Sequence, residues 1–471
     1  MARLELLASD QIEDIHTATL DLLERVGVKF HQAQALRHLE SGGARIDSKT
    51  ERVYFSESLV KEALRKAPRS FTWYSRDNKH DLRVGEQERT YVMPGYGAAS
   101  ILDVDGKRRP GSQEDLAELT RLVDALTCID GGGGLLVEPS GIAPNTVLQR
   151  VYLTMIQNTT KCVMGYTLGT AVALDCIKMA SIVAGGEEEL TRSPLIAGLI
   201  NNKSPFEYDQ KMSEAMIEYS KCKLPLILTP APMAGGTSPV TLAGTLVQQN
   251  AEALGGIILS QSVGPGTPNV YGSASSIMDM RTGALSFGSP ETMLLSVAGT
   301  QLARRYGLPS RAICIVSDAK LPDAQAGYEK AMASMVSSLA GLNLSTWAGL
   351  LESGPTISPA QMVIDNEIWG MIHRFSHGID VTFETLAVDV IAETVQQGSF
   401  LGHKHTLEFH NRERWFPVIS DRNSHGSWNE KGKKSLMQRA AEEAKRIIAT
   451  HQPQPLDREI LSELEKIVKD R

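Results

Sequence analysis

The sequence is poor in the features that mark special classes of protein. Its five cysteines (Cys128, Cys162, Cys176, Cys222 and Cys314) are odd in number, far apart and never in C-x-x-C spacing, which argues against a disulfide framework and a structural zinc site. Aromatic residues make up only 6% of the 471 residues. Neither charge sign dominates: 48 basic against 55 acidic side chains leave a net charge of -7, too dispersed for a phosphate-binding stripe or a polybasic membrane anchor. Nucleic acid is not an expected partner. No apolar run approaches the ~20 residues of a spanning helix, and Met1 to Asp10 carries acidic residues before any apolar stretch. The expectation is a cytoplasmic protein in a reducing compartment, without membrane contact. Common catalytic motifs are missing too: there is no G-x-S-x-G elbow and no H-E-x-x-H, and the pair His403-x-His405 lacks a third ligand at helical spacing. No metal site is expected.

What is present suffices for a large core, with 42% hydrophobic and 22% charged residues. The first 70 residues read as small helices. One carries Ile12, Ile15, Leu22, Leu23 and Val26 on a single face, with Asp10 and Glu13 in capping-box spacing and Gly27 to end it. Others run from Ala35 to Gly42 and from Ser56 to Pro68, and residues 71–89 read as a β-rich bridge. From Tyr91 a unit repeats: a short apolar run, a turn rich in Gly, Pro, Asn and Ser, then a segment of helical periodicity. The runs are Tyr91–Gly95, Ile129–Val137, Cys162–Tyr166, Leu195–Ile200, Pro225–Thr229, Asn269–Gly272, Ala312–Ser317 and Leu342–Ala348. The helices are expected near 112–126, 144–158, 170–184, 209–221, 239–254, 290–306, 323–340 and 359–376. In the seventh, Tyr328, Met332, Met335, Val336 and Leu339 form the apolar stripe, with Glu329 and Lys330 off it.

Eight strand-then-helix units predict an α/β protein built on a (β/α)8 TIM barrel, with a doubly wound open sheet as the competing arrangement. The expected division is 1–89 for an N-terminal helical cap and bridge, 90–376 for the barrel, and 377–471 for a loop region and helices, including two near 433–449 and 456–469. In such a barrel, chemistry belongs where strands end. Position alone therefore nominates Tyr96, Glu138, Tyr166, Asn201, Asn202, Phe206, Thr229, Met233, Ser273, Asp318, Lys320, Trp347 and Glu352. Gly131 to Gly134 precede apolar residues inside a strand rather than opening a helix, so they read as close packing, not as a phosphate loop. The buried cysteines read as small hydrophobes. Aromatic side chains gathered at one mouth would suit a cation held by π-faces. Asp323 is placed equally well to cap a helix or to act in a site.

The most informative stretch is Ser317-Asp-Ala-Lys-Leu-Pro-Asp-Ala-Gln-Ala-Gly-Tyr-Glu-Lys330, polar residues directly after an apolar strand. With Ile101-Leu-Asp103 and Asp115, Ala340-Gly-Leu-Asn343, Leu351-Glu352, Asp365-Asn-Glu367, Glu384-Thr-Leu-Ala387, Phe400-Leu-Gly-His-Lys-His-Thr-Leu407, Trp415 and Pro417, it resembles the trimethylamine methyltransferase family along nearly the whole chain. That resemblance implies a barrel enzyme that moves a methyl group from an amine to the cobalt of a separate corrinoid protein. The family's trimethylamine enzymes carry pyrrolysine near the strand that ends here at Ser317, where this chain has only standard residues. Members without it look like enzymes for quaternary amines, above all glycine betaine, with proline betaine and carnitine as variants.

Leaving-group chemistry makes that division sensible. A quaternary amine departs as a neutral amine and needs no acid, so the protein has to align the C–N bond, exclude water and hold a cation that disperses in the transition state. The resemblance thus implies transfer from glycine betaine to cobalt(I), yielding dimethylglycine. No cofactor would reside on this chain, since the corrinoid belongs to the partner; self-association stays open. Tyr96, Tyr166, Phe206 and Trp347 are assigned to the ammonium pocket, and Asn202, Lys320, Gln325 and His405 to polar orientation, the last three as catalytic candidates. A phosphate-handling aldolase or isomerase with Lys320 as a Schiff base is the distant alternative.

Overall fold

The structure, a computed structural model, describes residues 3–86, 89–141 and 147–469. Its centre is a parallel sheet whose strands, in chain order, are β1 (Tyr91–Pro94), β2 (Val163–Gly165), β3 (Ile196–Ile200), β4 (Leu226–Leu228), β5 (Asn269–Ser273), β6 (Ser310–Ile313) and β7 (Leu344–Ala348). They pair in the order β1-β7-β6-β5-β4-β3-β2. The remaining gap is closed by residues 130–137, which bond to both neighbours: Asp130 N–H donates to Val92 O at 2.7 Å, Gly132 N–H to Cys162 O at 2.8 Å, and Gly133 O accepts from Met164 N–H at 2.7 Å. The sheet is therefore a barrel, not an open layer.

The closing segment departs from the regular strand expected over Ile129–Val137, since it makes only isolated bridges such as Gly133 to Val163 and Ala98 to Val137. Its glycines explain why. Gly133 has φ +82°, and a Cβ there would strike Pro94, while one at Gly131 would strike Met93. The chain gains close approach to the barrel wall and loses regular pairing.

One helix follows each stave: α1 (Gln113–Ala125), α2 (Val147–Asn158), α3 (Thr170–Ala184), α4 (Gln210–Lys221), α5 (Leu242–Val263), α6 (Pro290–Arg305), α7 (Ala324–Ala340) and α8 (Pro359–His377). Asp323 caps α7, its carboxylate accepting from Gln325 N–H at 2.9 Å and Ala326 N–H at 3.2 Å. The inward face of α7 is the reverse of the expected one. Tyr328 and Met332 are exposed, whereas Glu329, Lys330, Ala333, Ser334 and Ser337 are buried. Small residues let the helix approach the barrel, and its two charged side chains hold strand ends, as described below.

The lumen is filled by Tyr91, Met93, Cys162, Met164, Ala197, Leu199, Ile227, Val270 and Leu344. Trp73, Leu82 and Val84, from the hairpin Phe71–Trp73/Leu82–Val84, join them at the lower end, where Trp73 Nε1 donates to Leu195 O, just before β3, at 3.2 Å. The opposite end is the mouth. Helices Ser9–Arg25, Ala33–Ser41 and Glu57–Lys66 pack on α5, and Leu436–Thr450 on α8 and α1, so the terminal segments wrap the barrel flank. The first helix begins earlier than its acidic residues suggested: Gln11 accepts from Ala8 N–H at 2.9 Å, and Glu13 instead pairs with Arg305. Among the described residues no helix is long and apolar enough to cross a membrane.

Candidate active site at the barrel mouth

Strand register builds the site. Ile200 pairs with Leu228, Leu228 with Tyr271, and Tyr271 with Ser310, so the next residues, Asn201, Thr229, Gly272 and Arg311, form one row across four strands. Alternation turns that row inward, because Leu199, Ile227 and Val270, two residues earlier, lie in the lumen. Gly272 keeps the row open, since a Cβ there would strike the Thr229 hydroxyl and the Leu228 carbonyl.

Arg311 is 2% exposed, and its guanidinium Nη1 donates to the Ser273 carbonyl at 3.2 Å. Its Nε and the hydroxyl of Thr229, itself 1% exposed, find no hydrogen-bond partner within the protein. Among the described residues, the charged or ionisable groups that bear on Arg311 are Tyr96 and Cys314, neither of them a carboxylate, and burial pulls its pKa down to about 10. Tyr96, two residues past β1, packs on the lumen core and hydrogen-bonds Asn201; burial pushes its phenol above the ordinary value.

The aromatic part of the mouth comes from a bulge. Pairing of β7 with β1 shifts between Ser345 and Ala348, and Trp347, inside the bulge, has φ +89°, a strained conformation for any residue but glycine. Its ring meets Phe287 edge-on, with centroids 4.9 Å apart, over Ile313, Val316 and Ala274. Ile313 is two residues beyond Arg311 on the same strand, a step of about 7 Å toward the mouth. Guanidinium and aromatic wall therefore share one stave.

Carboxylates hold this geometry from outside. Asp318, after β6, accepts from Phe287 N–H and Gly288 N–H at 3.0 Å each, from the Ser286 hydroxyl at 2.5 Å, and from the Ser353 hydroxyl. Glu329 accepts from the Ser317 hydroxyl at 2.6 Å, Asp318 N–H at 2.9 Å and Gln325 Nε2 at 2.8 Å. Lys330 and Asp365 form a fully buried ion pair at 2.8 Å. Lys330 donates to Ile315 O at 3.0 Å, and Asp365 accepts from Gly349 N–H at 2.6 Å, so the pair pins the ends of β6 and β7.

Of the residues nominated from the sequence, Tyr96, Asn201, Thr229 and Trp347 lie at the mouth. The others are placed differently, for identifiable reasons. Tyr166 wedges between barrel and helices, its hydroxyl 3.7 Å from Met155 Sδ of α2. Asn202 and Phe206 are tied to the buried Glu252 of α5, which accepts from Asn202 Nδ2 at 2.9 Å and Phe206 N–H at 3.0 Å. Lys320 is exposed and donates to the carbonyl of Asp318 in its own loop at 2.7 Å. Gln325 serves Glu329. His405 stacks on Phe409 at 4.4 Å within the C-terminal arm, and its backbone N–H donates to Nδ1 of His403. Glu138 is exposed at the end of the closing segment, the Ser273 hydroxyl turns outward to Gln249 at 2.8 Å, and Glu352 pairs with Arg108 at 3.2 Å. Arg311 and Phe287 were missed. A lone arginine between Ser310 and the apolar Ala312–Val316 was a usable signal; Phe287 had none.

Comparison with known proteins agrees with this architecture. The sequence matches the family described as trimethylamine methyltransferase over residues 1–471. It is 37% identical to the glycine betaine methyltransferase of Desulfitobacterium hafniense Y51, covering 100% of this chain and 98% of that one. It is also 37% identical to the trimethylamine methyltransferase of D. hafniense DCB-2 (98% and 93%), and 35% identical to that of Methanosarcina barkeri Fusaro (99% and 94%). Among solved structures, the monomethylamine methyltransferase (MtmB) of M. barkeri superposes with a TM-score of 0.51 at 11% identity, covering 93% of this chain and 97% of that one. The hydroxylamine complex of MtmB gives 0.52 at 11% identity, covering 93% and 92%. A (β/α)8 barrel with its polar and aromatic residues gathered at the strand ends, matched from end to end by these relatives, is a methyltransferase belonging to the trimethylamine methyltransferase family.

Proposed function

We propose that the protein transfers a methyl group from glycine betaine to cobalt(I) of a corrinoid carried by a partner protein in the cytoplasm, releasing dimethylglycine. The relatives at equal identity divide between a quaternary and a tertiary amine, so their names do not decide the substrate. The observation that supports the quaternary one is that, among the described residues, the inward row at the mouth carries a phenol and a guanidinium but no histidine, cysteine or carboxylate to serve as a proton donor. Tyr96 is pushed up by burial and Arg311 sits at about 10, while Asp318 and Glu329 are engaged in holding loops. A tertiary amine would need a proton or an electrophile to leave; a quaternary amine leaves neutral. The edge-on pair Trp347–Phe287 offers π-density to a cation whose charge disperses as the methyl departs, where a fixed carboxylate would favour the ground state most. In this reading the chain holds no cofactor of its own. Proline betaine or carnitine would use the same chemistry. The aldolase alternative loses its motive, because Lys320 points to solvent and donates to the carbonyl of Asp318 in its own loop instead of entering the barrel mouth.

The test is methyl transfer to a cobalt(I) corrinoid acceptor. Glycine betaine should react and trimethylamine hardly at all, with a rate flat from roughly pH 6 to 9 because no acid or base acts there. Equal turnover of both amines would defeat the leaving-group argument.

The aromatic wall carries its own prediction. A desolvated cation–π contact contributes about 2 kcal/mol, so Trp347→Leu should weaken glycine betaine binding about thirtyfold. The carbon isostere of the substrate, with carbon in place of nitrogen, should bind poorly to the parent and change little. Equal losses for both ligands in calorimetric titration would mean that Trp347 supplies shape and not charge recognition.

A further inference from the structure

We infer that Arg311, with the Thr229 hydroxyl beside it, is the anchor for the carboxylate of a zwitterionic quaternary amine. This rests on the reading of the site as a quaternary-amine methyltransferase and names the second half of its substrate. A guanidinium taken out of water without an anion is unfavourable by several kcal/mol, and proteins retain such a charge where a counter-charge arrives with something else. Among the described residues the lack of an anion is specific: the ionisable groups that bear on Arg311 are a tyrosine and a cysteine, and its Nε lacks a partner. A second unsatisfied donor, the Thr229 hydroxyl, lies in the same inward row, separated from Arg311 by a residue with no side chain. Tyr96 and Asn201 are hydrogen-bonded to each other, and Asn201 continues the row on the strand next to Thr229. The unsatisfied groups are N–H and O–H donors, and a carboxylate is acceptor-only, so the chemistry is complementary.

The placement also orients the substrate. Arg311 lies one inward step below Ile313, and Ile313 carries the Trp347–Phe287 pair. A short zwitterion bound carboxylate-down and ammonium-up turns its methyl groups toward the mouth, the end opposite the one that the Trp73 hairpin fills, where a corrinoid on another protein can approach. A trialkylammonium without a carboxylate would leave Arg311 uncompensated and its own depth undetermined. The enzyme should therefore discriminate by the anion as well as by the cation.

Calorimetric titration of the full chain with glycine betaine and with its carboxamide, which keeps the ammonium but not the anion, reads this directly. The parent should bind glycine betaine at least tenfold more tightly than the carboxamide. Arg311→Met should weaken glycine betaine roughly thirtyfold and the carboxamide far less, so the preference collapses. Thr229→Val, which keeps the shape, should reduce the preference severalfold and guards against a folding defect in the first variant. Arg311→Met also removes a buried unpaired charge, so its melting temperature should not fall. A parent that binds both ligands alike, or variants that weaken both by the same factor, would overturn the anchor. Failure of the underlying reading looks different: the parent would then move no methyl group from any quaternary amine to cobalt(I).

Discussion

Asp318→Ala is expected to lower kcat/KM for glycine betaine about a hundredfold, although Asp318 does not touch the substrate in the geometry described. Its carboxylate gathers Ser286, Phe287, Gly288 and Ser353, and so sets the edge-on approach of Phe287 to Trp347. Without that acceptor, two N–H groups lose a charged partner and the hairpin Ser276–Asp279/Ala284–Ser286 can withdraw from the mouth. A displacement of 1 Å at a reacting centre costs on the order of 10²-fold in rate. Both kinetic parameters should move, KM because the cation loses part of its wall and kcat because the C–N bond is no longer aligned. Asp318→Asn separates positioning from charge. Its amide oxygen still accepts from Phe287 and Gly288, and its NH2 can donate to the Ser286 hydroxyl, so activity should return to within about fivefold of the parent. If Ala lowered only the melting temperature and left kinetics intact, Asp318 would be a loop fastener and nothing more.

The barrel was legible because alternation survives local noise. Each helix expected from periodicity corresponds to an observed one, positions 144–146 of the second lying outside the described residues, and the strand ends placed Tyr96 and Trp347 at the mouth. Register was less accessible. The seventh apolar run, read from Ala312, begins as a strand at Ser310, and those two residues hide Arg311, whose charge makes it look like a boundary and not an interior position. Phe287 belongs to the long connection between β5 and α6 and is brought to the site by its N–H bond to Asp318 and its packing on Trp347, contacts no local pattern encodes. Helix α7 misled through its own apolar stripe: the buried face is the polar one, because Glu329 and Lys330 are used to hold backbone. The same use explains the acidic residues that carried the family resemblance. Asp115 receives Arg109 through two contacts and accepts from the N–H of Ser112, the residue that caps α1, and Glu367 accepts from the N–H groups of Val418, Ile419 and Ser420, clasping the C-terminal arm to α8. Motifs of this kind identified the family through its scaffold and said little about the substrate.

Lys330 and Asp365 hold the scaffold where β6 and β7 end. Both are fully buried; burial pushes the lysine's pKa down and the aspartate's up, and each keeps the other ionised. Removing one member of such a pair leaves the other without compensation, so Lys330→Met should destabilise the protein by about 3–5 kcal/mol. The sign of its pH dependence identifies the cause. With its cation gone, Asp365 folds only by holding a proton, its folded pKa lying above the unfolded one. The folded state then binds more protons than the unfolded state, and stability is lost as pH rises through the folded value. The Lys330→Met variant should accordingly melt at a higher temperature at pH 5 than at pH 8, where loss of packing alone would give equal decrements. Adding Asp365→Asn should abolish that slope and recover much of the loss, since the amide oxygen still accepts from Gly349 N–H, the contact that holds the end of β7 beside Trp347. A double variant as unstable as Lys330→Met, with the slope intact, would show that the ion pair is not what pins these strand ends.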